Sequence, residues 1–103
     1  MKLLTDNEGR IIRLTDERLE HILEHPEMKE MGHAIEETLA NPERVVQSIS
    51  DPEARLYYRF YKGTRVGDKY ICIAVKVMQE DAFIITAYLT DTIKKGEVVW
   101  PRK

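Results

Sequence analysis

A chain of 103 residues, 43% hydrophobic and 33% charged, is long enough for a single domain (1–103) with one core and too apolar to stay disordered. No apolar run reaches the length of a membrane span, the opening "MKLLTDNEGR" has no signal-peptide core, and the lone Cys72 permits no internal disulfide. A cytoplasmic protein without a membrane partner is expected, and its net charge of −2 argues against indiscriminate nucleic-acid binding.

Taken in chain order, residues 2–4 and 10–14 predict a short hairpin around the turn signal "DNEG". Thr15 reads as a helix N-cap, with Asp16 and Glu17 in the first turn and Leu19, Ile22 and Leu23 as the buried stripe. Pro26 disfavours a helical His25 and should end that helix. A second helix is expected from about Glu27 to Ala40, striped by Met31, Ile35 and Leu39 and closed by Asn41-Pro42. Beyond Pro42 the period changes to two. "RVVQSI" predicts a strand, followed by the stronger strands "RLYYRFY", "KYICIAVKVM" and "FIITAYLT", with Trp100 anchoring an edge strand in the tail. The fold class is therefore α+β: two N-terminal helices packed on one face of an antiparallel sheet of about four strands.

Alternation sorts each strong strand into two sets. Leu56, Tyr58, Phe60, Ile71, Ile73, Val75, Val77, Phe83, Ile85, Ala87 and Leu89 are expected to face the helices. Arg55, Tyr57, Arg59, Tyr61, Lys76, Thr86 and Tyr88 are expected together on the other face. Cations for phosphates, phenol rings for bases and hydroxyls for sugar oxygens suit single-stranded RNA. A solvated antiparallel face carries the same residue types without any ligand, because they pack well on a pleated surface. Residues 1–51 hold six Lys/Arg and twelve Asp/Glu, residues 52–103 ten and six; the basic second half would offer an anionic ligand one favourable face, and ordinary scatter in a charged surface gives the same balance.

"HILEH" (21–25) matches the H-x-x-E-H pattern of inverted zinc proteases. Zinc needs at least three protein ligands, and no motif supplies a third beside His21 and His25; no metal and no cofactor is expected. Two readings stay open for the pair: the exposed side of a helix, or an acid–base catalyst near neutral pH.

In order, "RLEHILEHPEM", "IEETLANPERVVQS", "DPEARLYYRFY", "KYICIAVKV", "FIITAYLTD" and "IKKGEVVW" resemble the phage-type barnase–EndoU–colicin–RelE-like nucleases. The resemblance implies helices on an antiparallel sheet and a metal-independent, toxin-like endoribonuclease. Carried over by position, it implies His21 or His25 as acid or base, Arg59 and Lys76 as phosphate-stabilising cations, and Thr86 and Tyr88 at the scissile phosphate. Arg55, Tyr57 and Tyr61 would bind flanking RNA. The implied partner is RNA, single-stranded or tRNA-like, with a cognate inhibitor protein as a second. The alternative is a non-catalytic RNA-binding or protein-interaction module on the same fold.

Overall fold

The computed structural model describes residues 1–102. Strands β1 (Lys2–Thr5) and β2 (Ile11–Leu14) form the expected antiparallel hairpin. Helix α1 (Asp16–Leu23) follows, with Thr15 capping it by accepting the Arg18 N–H. Pro26 does stop this helix, but it also starts a 3-10 turn, Pro26–Met28, so α2 begins only at Gly32 and runs to Ala40. The second helix is thus shorter than its apolar spacing predicts. Pro fixes φ for one tight turn, and residues 29–31 leave that turn before helical bonding restarts. Then come β3 (Arg44–Ser48), β4 (Ala54–Thr64), β5 (Gly67–Val77), β6 (Ala82–Thr90) and β7 (Gly96–Trp100).

The sheet corrects the expected fold class. It has seven strands in the order β1-β2-β6-β5-β4-β3-β7, and it is mixed rather than antiparallel. The N-terminal hairpin joins the sheet by a parallel contact, Arg13 opposite Phe83, and β7 joins the far edge against β3. Short edge strands carry a weak period-two signal, which is why four strands stood out in the sequence and seven formed.

Both helices lie on one face, α1 against β6 and α2 against β1, β4 and β5. The core there joins Ile22, Met28, Ile35 and Leu39 to Tyr57, Ile71, Ile73, Val75, Ile84 and Ala87. The face sorting holds for most of β5 and fails for β4. Tyr57 stands opposite Ile73 and Arg59 opposite Ile71, so Arg55, Tyr57, Arg59 and Tyr61 lie on the helix face. A bulged connection between Tyr61 and Thr64 sets that register, and strand patterns alone do not encode it. A second irregularity at Ala74/Val75 leaves Ile85 as the extra residue, turning Ile84 into the core and Phe83 outward.

The opposite face has a core of its own. Leu56, Tyr58, Cys72 and Ala74 pack with Val46 beneath Ile93, which belongs to the segment linking β6 to β7. That segment crosses the face as a strap, its Lys94 N–H donating to the Tyr58 hydroxyl at 3.1 Å. Both faces of β4 are therefore buried, and adjacent Tyr57 and Tyr58 are each 1% exposed.

Burial is the main reason both phenols titrate well above their ordinary value of 10. A raised folded-state pKa means the stability is fully present below pH 10 and is lost as pH rises beyond it. The unfolded chain then releases phenolic protons that the folded chain still holds. The slope approaches about 1.4 kcal/mol per pH unit for each tyrosine only above pH 10, so the pair should lose roughly 3 kcal/mol between pH 9 and 11. Urea midpoints followed from pH 9 to 11 check this; a flat profile would show that the two phenols ionise freely in the fold.

Candidate active site

Helix α2 ends at Asn41, and the chain turns through Pro42 into β3. Glu43 fastens this corner to β4: its N–H donates to the Tyr58 carbonyl at 2.8 Å, and its carboxylate accepts the Phe60 N–H at 2.7 Å. Alternation along β4 then brings Arg59 and Tyr61 beside the last turns of α2.

Three groups meet there. Tyr61 donates its phenol to Glu37 Oε1 at 2.5 Å, and Arg59 Nε stands 3.7 Å from the same oxygen. Arg59 Nη1 also donates to the Asn41 carbonyl at 2.8 Å, placing the guanidinium at the negative end of α2. Thr38 Oγ1 lies 3.5 Å from the Tyr61 hydroxyl, so the ring is held from two sides. Burial first, and the Glu37 carboxylate after it, push the Tyr61 phenol up to about 12, which keeps it a proton donor near neutral pH.

Tyr61 continues into a groove of about 330 Å³. His33, Met31, Glu27 and Glu30 line one side, and Lys62, Gly63, Thr64 and Arg65 of the β4–β5 turn line the other. His33 precedes Glu37 by four residues, so both project from the same side of α2. His33 and Tyr61 thus share the groove, and the Tyr61 hydroxyl joins it to the Glu37–Arg59 pair beside it. The arrangement can take a proton, give one, and hold an anion.

The residues expected from the sequence fall into three places. Tyr61 lines this groove, Arg59 stands beside it on Glu37, and Arg55 lies on the same face of β4, opposite Val75. Tyr57 shares that face, but its ring is inside the core and its hydroxyl donates to Asp6 at 2.6 Å, so no base can stack on it.

Lys76, Thr86 and Tyr88 project from the opposite face. Lys76 is paired in the free protein: its Nζ is 2.7 Å from Asp51 and 3.4 Å from Glu53. The hydrogen bond to Asp51 raises the Lys76 pKa and lowers that of Asp51. Tyr88 packs beside Cys72, and burial raises both groups above their ordinary values.

His21 and His25 lie on the exposed side of α1 and just past its end, rings edge to face at 6.3 Å, with His21 Nδ1 3.8 Å from Glu24. Among the described residues, no three His, Cys, Asp or Glu side chains gather closely enough to hold a metal ion. Also among them, no helix is long and apolar enough to cross a membrane.

Glu37 and His33 were not singled out from the sequence. Their signal was the four-residue spacing on α2, "HAIEE", in which both residues flank the Ile35/Leu39 stripe. The partners of Glu37 come from a strand more than twenty residues away, and that pairing has no local signature.

A family model described as phage-Barnase-EndoU-ColicinE5/D-RelE like nuclease 2 matches residues 1–100 of the chain. No curated protein and no solved structure matches it.

Proposed function

The chain belongs to this phage-type nuclease family, and from that premise we propose that it is a metal-independent endoribonuclease cutting single-stranded RNA in the α2–β4 groove. The observation that carries the reading is the convergence of Arg59 and Tyr61 on the Glu37 carboxylate.

In this reaction a ribose 2′-hydroxyl attacks its own 3′-phosphate. Glu37 takes the 2′-proton as general base while the O2′–P bond forms. His33, as imidazolium, gives a proton to the 5′-oxygen as the P–O5′ bond breaks. Arg59 faces the negative charge that builds on the phosphorane oxygens, fixed in advance by the Asn41 carbonyl. Tyr61, protonated across the working range, donates to a non-bridging oxygen once the substrate takes Glu37's attention. The products are a 2′,3′-cyclic phosphate and a free 5′-hydroxyl.

Because the nucleophile comes from the substrate, cleavage should survive a strong chelator and stop on an oligonucleotide carrying 2′-deoxyribose at the cut. Mass spectrometry of the products checks both arms. Chelator-abolished cleavage, or cutting of the deoxy substrate, would overturn the mechanism. Tight binding with no cleavage at all would hand the case to a non-catalytic RNA-binding module.

A further inference from the structure

The β4–β5 turn is built to hold one cation over the groove. Gly63 and Gly67 adopt φ of +69° and +98°, values that side-chain-bearing residues rarely take. Thr64 Oγ1 donates to the Gly67 carbonyl at 2.5 Å, and the Gly63 N–H donates to Asp68 at 2.9 Å, closing the turn on itself. Arg65 projects from this turn and reaches across to Glu30, Nη2 to Oε1 at 2.9 Å. Arg59 meets Glu37 in the same sense further along. Two arginines thus each face a carboxylate, Arg65 with Glu30 in the groove and Arg59 with Glu37 beside it, with Tyr61 common to both.

The Arg65–Glu30 pair is mostly exposed, with side chains 49% and 75% accessible, so it adds little to stability. A guanidinium fork donates to a carboxylate or a phosphate through the same paired N–H groups. Lys62 lines the groove beside Arg65 and brings a second positive charge without a fixed geometry.

We propose that Arg65, with Lys62, forms a second phosphate subsite, occupied in the free protein by the Glu30 carboxylate. An RNA strand would displace Glu30 and lie along the groove, its scissile phosphate at Arg59 and a neighbouring phosphate at Arg65. The inference rests on the groove being the substrate site, and it makes the preferred ligand a strand with at least one phosphate beside the cut.

The test uses the full chain and a fluorescent, all-2′-deoxy single-stranded oligonucleotide, which the proposed chemistry cannot cleave. Binding is measured by anisotropy over a range of salt concentrations. Arg65→Gln should flatten the plot of log K against log salt by about 0.7, one phosphate contact on a single strand. Glu30→Gln should tighten binding roughly two- to fivefold, the competition from an exposed ion pair being removed. Thermal melts of both variants guard against misfolding. An unchanged slope in Arg65→Gln, or weaker binding in Glu30→Gln, overturns the subsite. A flattened slope in a protein that never cleaves RNA keeps the subsite and refutes the catalytic reading.

Discussion

Asp6→Ala should be the most damaging single substitution to the scaffold, costing about 3–5 kcal/mol, the range for dismantling a buried charge pair. The Asp6 side chain is fully inaccessible and saturates its acceptors. Oδ1 receives the N–H groups of Glu8 and Arg10 at 2.9 and 2.8 Å. Oδ2 receives the Tyr57 hydroxyl and Arg10 Nη1, both at 2.6 Å. One carboxylate therefore shapes the β1–β2 turn and locks that turn onto the middle of β4. Its removal orphans the buried Tyr57 hydroxyl, which would retain only the 3.3 Å contact to Arg10.

Against a usual domain stability of about 5–15 kcal/mol, that loss would leave little margin. Asp81→Ala is the control. Asp81 makes a two-pronged bond to Arg13, at 2.8 and 2.6 Å, but at the surface, so its loss should cost under about 1 kcal/mol. Urea denaturation separates the two; equal losses would mean that Asp6 is no more than a surface turn residue.

The second large effect is catalytic. Glu37→Gln keeps an oxygen to accept from Tyr61 but removes the base, and should lower kcat by about 10²- to 10⁴-fold. Arg59→Ala should lower kcat by about 10²- to 10³-fold with a smaller change in KM, because charge on the phosphorane exceeds that on the ground-state phosphate. Arg59→Lys should recover only part of the loss, since a lysine cannot bond both Asn41 and a phosphate oxygen in one plane. Both side chains are partly exposed, so neither variant should unfold the protein. Steady-state kinetics alongside melts would show it; matched losses of stability and rate would make Glu37 and Arg59 structural residues.

These expectations rest on unequal parts of the sequence. The Thr15 cap, the Pro26 stop and the three long strands were legible because each is a local signal. The N-terminal hairpin was legible for the same reason. What failed was relative placement. Tyr57 and Tyr58 are neighbours in "LYYRF", and both are buried, so β4 offers two apolar faces and no pattern says which meets the helices. A turn containing one irregular step chose, and Arg59 moved to the α2 side while Lys76 and Tyr88 stayed on the other. The seven-stranded order was equally hidden, because β7 crosses the sheet by a strap that "DTIKK" does not announce. Arg59 and Tyr61 were found as chemistry, whereas Glu37, their shared partner, becomes visible only when α2 is laid beside β4.

The location of the chemistry is the central claim, and single-turnover cleavage of one RNA by Glu37→Gln and by Lys76→Ala tests it most directly. Lys76 already has two carboxylate partners on the far face, and Glu37 sits where Arg59 and Tyr61 converge. The expected result is a rate loss of at least about 10²-fold for Glu37→Gln and less than about threefold for Lys76→Ala. A crippled Lys76→Ala beside an active Glu37→Gln would contradict the account and move the active site to the opposite face of the sheet.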